Sequence, residues 1–278
     1  MPNASVSRPL LTAALCVGLT LPLLAQVQVT QSSLAAAAIR TDGQAGEWRD
    51  TAGVRDLKSG VKLTFQNDGR DLYILVVFQK PEALESLEST GLAVLARTAA
   101  AGKLERGVLF LKRTVPADAY IRWHEGQGRF LSAAEKDKLR DAMRQDLCLA
   151  FAIGARGSMF GPLRRLRDSD PPEFGVAEDP AGSTYEFKIP LAPPDVVPGG
   201  IGASPGESVR ISFEWGGKAR KLTGTKAVRE TPPSEAGGLF GVATPAQEFL
   251  NMFDPMSRPA ATTKKYSVAI DVRLAEAK

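Results

Sequence analysis

Apolar and polar residues alternate with a period of two along much of this chain. VKLTF at 61–65 and DLYILVVF at 71–78 flank the turn NDGR at 67–70. Asp and Gly tolerate the positive φ of a tight turn, so this is a hairpin signal. The Leu, Tyr, Ile, Val and Phe of the second segment predict a central strand buried on at least one face. LAVLA at 92–96, GVLFL at 107–111, AYIRW at 119–123 and YSVAIDVRL at 266–274 are further predicted strands. LCLAFAI at 147–153 reads as a strand or a buried helical end. In TYEFKIPL at 184–191, Tyr185, Phe187 and Ile189 share one face, and Glu186 and Lys188 the other. In SVRISFEW at 208–215, Val209, Ile211, Phe213 and Trp215 share a face.

One helix is predicted outside the leader, near 132–145. Ser132 and Glu135 have capping-box spacing, and Leu139, Ala142 and Met143 form a modest apolar stripe. Residues 154–183 and 216–262 lack regular patterning. The second segment holds a basic cluster (Lys218, Arg220, Lys221, Lys226, Arg229) and a candidate short helix at 245–253. An unpatterned stretch of that length inside a domain is unusual, and reads as an active loop, a covering flap or a mobile insertion. The order fits a mainly β, immunoglobulin-like or jelly-roll β-sandwich over 39–278, with one inserted helix and a lead-in at 26–38. A two-domain split near 155–183 is the alternative.

Residues 9–25 carry no charge and follow Arg8, which predicts a signal peptide over 1–25 and a periplasmic or secreted protein. A retained membrane anchor is the alternative; a lipoprotein reading through Cys16 is weaker, because Cys16 lies inside the apolar run. No other apolar run is long enough to span a membrane. The 278 residues are 44% apolar and 24% charged, which excludes a disordered chain or a fibrous repeat. Two cysteines and one histidine exclude a histidine-rich zinc site and a four-thiolate cluster within one chain. Loss of the leader removes Cys16 and leaves Cys148, whose apolar context predicts a buried, unreactive thiol. A formal net charge of +4 gives no argument for nucleic acid.

The segment IRTDGQAGEW, with Ile39, Asp42, Gly43, Glu47 and Trp48, precedes Asn67, Asp68, Leu72 and Tyr73 of the hairpin. Tyr185, Glu186, Phe187, Ile189 and Pro190 follow later. In that order these pieces resemble the family 9 carbohydrate-binding module-like group of secreted sandwiches, which belongs with the DOMON-like domains. STGLAVLARTAAAGKLERGVLF resembles a bacterial branch of the same group. The resemblance implies a β-sandwich. It leaves open a sugar-binding module, a non-covalent haem or electron-transfer subunit, or a domain without known activity.

A sugar site needs exposed aromatic rings beside polar groups. Trp48 is expected at the edge of the sandwich and Trp215 in its core. Trp123 is different: IRWHEGQGRF sets Trp123, His124, Glu125 and Arg129 beside two glycines, with Tyr120 close by, in an expected loop. These five residues are the candidate ligand site, with Trp123 stacking on a sugar and Glu125 or Arg129 fixing polar groups. A haem would need His124 with Met143, Met159, Met252 or Met256. Calcium could use Asp42, Glu47, Asp50 and Asp56, or Asp168, Asp170, Glu173, Glu178 and Asp179, although solvated turns are the default for both sets. No nucleophile elbow, phosphate-binding loop or His-Glu-x-x-His is present. The expected role is therefore a non-catalytic extracytoplasmic binding or scaffolding module, with a glycan or a cell-envelope protein as partner. A secreted carbohydrate-active enzyme is a further alternative.

Overall fold

The computed structural model describes residues 28–35, 39–99, 106–154, 159–163, 170–179, 182–218 and 263–276. The predicted leader, the candidate helix at 245–253 and most of the 216–262 segment lie outside the described residues.

Among the described residues, thirteen strands form two sheets. They are β1 (Gln28–Gln31), β2 (Ser33–Leu34), β3 (Gly53–Asp56), β4 (Val61–Asn67), β5 (Asp71–Phe78), β6 (Leu92–Arg97), β7 (Arg106–Pro116), β8 (Arg144–Ile153), β9 (Met159–Pro162), β10 (Glu173–Asp179), β11 (Gly182–Pro190), β12 (Ser208–Trp215) and β13 (Tyr266–Arg273). One sheet runs β1-β13-β12-β6-β7-β8-β9. The other runs β10-β11-β5-β4-β2, with β3 also on β4. The molecule is thus a mainly β sandwich, as its alternation predicts. Its described residues carry three α-helices rather than one: α1 (Pro81–Thr90), α2 (Ala117–Gly126) and α3 (Ala133–Asp141). Strands β1 and β2 fall within the segment read as a lead-in, so the sandwich takes up chain ahead of Ile39.

Local chemistry explains the most regular parts. In the β4–β5 hairpin, Asp68 Oδ1 accepts from the Arg70 and Asp71 amides, and Gly69 takes φ +90°. Ser132 caps α3 reciprocally with Glu135. Pro81 starts α1, where its missing N–H costs nothing, and Ala83 and Leu87 face the core. The alternating faces of β11 and β12 meet between the sheets. Phe187 and Phe213 are among the fully buried side chains, and Trp215 Nε1 donates to the Ala83 carbonyl at 3.0 Å. Burial of each such ring contributes about 2–3 kcal/mol.

The opposite face of β11 departs from the alternation rule. Glu186 was placed with the polar side chains, yet it is fully buried. The segment 39–51 lies over this outer face. Trp48 packs there on Tyr73 and Leu75. Trp48 Nε1 donates to Glu186 Oε1 at 2.9 Å, and the amides of Gly43 and Asp42 donate to Oε2 at 3.1 and 3.2 Å. Gly43 sits at φ +83° against the backbone of Val176 and Ala177, and a Cβ at Gly175 would collide with the Thr41 carbonyl. A second buried polar staple joins the chain ends. Asn67 Oδ1 accepts from Ser32 Oγ and the Ala275 amide, and its Nδ2 donates to the Ala275 carbonyl.

Two outcomes follow for stability. Burial pushes the Glu186 carboxyl up from its ordinary 4.5 to about 7, against the Trp48 and Gly43 donors that lower it. Between these values the folded state holds a proton that the unfolded chain has lost. The contribution is therefore full below pH 4.5 and is lost as pH rises through about 7. Urea unfolding should show a decline of up to about 3 kcal/mol across that window, absent in Glu186→Gln. Gly175→Ala should cost about 2 kcal/mol through overpacking, whereas Gly46→Ala, with open space around it, should stay within about 0.5 kcal/mol.

Candidate functional site

The segment 119–123 is helical, not a strand, and the predicted loop around Trp123 is the last turn of α2 with the tight turn after it. Pro116 precedes the helix, and Ala117, Ala119 and Ile121 are its buried residues. Tyr120, Trp123 and His124 then share a side through their i, i+3, i+4 spacing. The helix end is closed locally. The Gln127 and Arg129 amides donate to the His124 carbonyl, and the Gly128 amide donates to that of Glu125. Gly128 takes φ +80°, the left-handed position of a helix stop.

Three of the five candidate residues meet in one groove of about 480 Å³. Trp123, His124 and Arg129 form one wall with Gln127. Cys148 and Ala150 of β8 form the floor. The opposite wall is the approach to β10, from Asp170 to Phe174, with Lys188 of β11 behind it. Among the described residues, strand β9 pairs with β8 near its Ala150–Ile153 end, so the groove lies at the rim where the two sheets come together. The other two candidates are turned elsewhere. Tyr120 packs on the apolar outer face of the seven-stranded sheet, its ring 4.3 Å from that of His124. Glu125 pairs with Lys136 of α3 at 2.5 Å.

Trp123 is half-buried: it rests on the outer-face cluster and still lines the groove. Trp48 and Trp215 are only 4% and 3% exposed. Burial, and then the Arg129 charge, hold His124 below its ordinary value, so it is neutral at neutral pH. Lys188 Nζ lies 3.0 Å from Glu173 and 3.9 Å from Asp170. In the sequence alone Asp170 and Glu173 read as solvated turn residues and Lys188 as an outer-face residue, and nothing singles out Phe174. The alternation of Phe174 and Val176 after Pro171-Pro172 was the available signal for β10 and for this wall.

Two cavities of similar size lack this combination. One, about 440 Å³, is lined by Thr90, Gly91, Trp215 and Lys218, but Trp215 presents almost no surface. The other, about 410 Å³, is mainly apolar and lies among Gly107, Ile153, Pro194 and Gly199. Among the described residues, no group of three His, Cys, Asp or Glu converges as metal ligands. Two of the calcium candidates serve their own turns: Asp42 Oδ1 accepts from the Gln44 amide, and Asp56 Oδ2 from Ser59. Of the haem pairs, only His124 with Met143 lies within the described residues, and these two do not come together. Met143 sits beside the first turn of α2 and His124 in its last, about 10 Å along the axis. The side chains of Met159, Met252 and Met256 lie outside the described residues.

No family model matches the chain, and no curated protein matches it. Solved structures similar to it include two that bear sugars. Both are a family 9 carbohydrate-binding module from Caldicellulosiruptor kristjanssonii, one in complex with cellotriose and one with glucose. Each is 11% identical, over 70% of this chain and 78% or 80% of the other, with a TM-score of 0.33.

Cys148 on the groove floor is exposed, contrary to the buried thiol expected from its apolar neighbours. Its place in the alternation of β8, between the buried Leu147 and Leu149, turns it to the groove. The thiol is nonetheless pushed up to about 11, by the surrounding protein and then by Asp146, with Lys112 opposing. Alkylation with iodoacetamide should therefore be at least tenfold slower than for a free cysteine at pH 8, with a rate that climbs until about pH 11. A rate that levels off near pH 8 would contradict this environment.

Proposed function

We propose that the chain is a non-catalytic glycan-binding module and that the groove beside α2 is its ligand site. The observation that carries this reading is the half-exposed Trp123 ring, set in a groove with hydrogen-bonding groups on both walls. A planar indole packs against the apolar face of a sugar ring, while Arg129 and Gln127 on one side and Glu173 and Asp170 on the other reach its hydroxyls. The volume of about 480 Å³ suits one to three sugar units rather than a long segment of polymer.

A binding role fits the carboxylates better than a hydrolytic one. Glycoside hydrolysis needs two carboxyl groups flanking the scissile bond from opposite sides. Asp170 and Glu173 stand on the same wall and share Lys188. His124 has no carboxylate partner among the described residues that would orient it as a base. Among the described residues no helix is long and apolar enough to cross a membrane. An extracytoplasmic location, with the leader removed, completes the proposal.

Intrinsic fluorescence tests it directly, because Trp48 and Trp215 are buried and Trp123 is not. Titration with a panel of soluble oligosaccharides should quench the Trp123 emission with a saturable curve. Trp123→Ala should lower affinity at least tenfold while leaving the melting temperature within a few degrees, and Trp123→Phe should retain part of the binding. Unchanged affinity in Trp123→Ala would remove the groove as the site.

A further inference from the structure

We propose that the sandwich binds one internal water molecule, held between the Tyr185 hydroxyl, Glu88 and Lys112 where α1 meets the open end of the core. The site is separate from the groove beside α2 and does not depend on the glycan reading.

The starting point is a buried hydroxyl. Tyr185 is 2% exposed, and among the described residues its Oη has no hydrogen-bond partner. Buried hydroxyls are almost always bonded, either to protein or to ordered water. The surroundings explain why the protein supplies no bond. Phe78 meets the Tyr185 ring edge-on at 5.5 Å, and Phe187 stacks on it at 6.3 Å. Neither ring carries a polar atom.

Tyr185 also lines a cavity of about 10 Å³. Phe110 and Lys112 of β7, Phe174 of β10, Phe187 of β11, and Leu87 and Glu88 of α1 surround it. That volume admits one water and nothing larger. A purely apolar cavity would stay dry, but this one has three polar side chains in its lining: Tyr185, Glu88 and Lys112. Three is the usual number of partners for a buried water.

The chemistry of the three groups sets their roles. Burial, and then the Glu88 charge, hold the Tyr185 phenol well above its ordinary value, so its proton stays in place to be donated. Glu88 reaches Tyr185 through its charge and not through a hydrogen bond, a separation that a bridging molecule spans. Lys112 Nζ pairs with Asp146 at 3.1 Å and with Glu178 at 3.3 Å, which leaves one of its three N–H groups for the water. The water therefore accepts from Tyr185 and Lys112 and donates to the Glu88 carboxylate. In this way α1, β7 and β11 are joined by a polar link at the edge of an aromatic core.

The test combines a crystal structure of the full chain with thermal melts of the parent, Tyr185→Phe, Glu88→Ala and the double variant. The structure should show one water within about 3.2 Å of Tyr185 Oη. Tyr185→Phe keeps the ring and removes only the hydroxyl, and should lower the melting temperature by about 2–4 °C. Glu88 is exposed, so Glu88→Ala should fold and should lower it by less. The double variant should lose less than the sum of the two, because both groups act through one water. Tyr185→Phe melting at or above the parent, or strictly additive losses, would overturn the site. So would a cavity that holds no water, or a Tyr185 hydroxyl bonded directly to a protein carboxylate.

Discussion

The burial of one carboxylate organises this fold beyond its core. Glu186 sits in a strand between two others and reaches no solvent. A buried carboxylate without donors would be strongly destabilising, so the chain must bring hydrogen bonds to it. Asp42, Gly43 and Trp48 supply them, and in doing so they fasten segment 39–51 across the outer face of the smaller sheet. That fastening brings Thr41 and Gly43 against the backbone of β10 at a distance only glycines allow. Strand β10 begins at Glu173 and Phe174, which are part of a groove wall. The wall opposite Trp123 is thus positioned by a polar contact on the far side of the sheet.

This explains how the sequence was legible in part. The hairpin at 67–70 and the apolar faces of β11 and β12 were readable because their signals are local: turn residues and a period of two. The burial of Glu186 was not, because alternation shows only that a residue points away from one face. It carries no information about what covers the other. The resemblance did group Asp42, Gly43, Trp48 and Glu186 in one pattern, without saying that they touch. Helix α2 was misread because Ala119, Tyr120, Ile121 and Trp123 satisfy a strand pattern over five residues, and the deciding neighbour is the extended β7–β8 pair that the helix packs on. Helix α1 was missed for the opposite reason: its stripe of Ala83, Leu84 and Leu87 is too short to stand out from a charged segment.

The candidate site shows the same division. Trp123, His124 and Arg129 lie within seven residues, so sequence proximity was enough to group them. Glu173 and Lys188 come from strands of the other sheet, and no local pattern announces that β10 passes beside β8. Tyr120 and Glu125 were grouped with the site by the same proximity that worked for the others. Helical geometry then separated them, turning Tyr120 onto the sheet and Glu125 toward α3. Proximity along a chain selects a neighbourhood, and the 100° step of a helix decides which members share a surface.

The place of the groove follows from how the sandwich uses its faces. The inner faces of both sheets are spent on the common core. The outer face of the smaller sheet carries Trp48, Tyr73 and Leu75 under segment 39–51, and α2 lies on part of the outer face of the larger one. Among the described residues the rim is left open, where β8 runs past the limit of β9 and the two sheets approach each other without closing. A rim site is wetter than a core cavity and cannot hold a ligand by enclosure. It must rely on one flat apolar surface and a few fixed polar groups. Trp123 provides the first; Arg129, set by the α2 stop, and the Lys188-linked carboxylates provide the second. If the groove holds a sugar as proposed, it would read one face of a small ring, which is the kind of selectivity a shallow, rigid edge can impose.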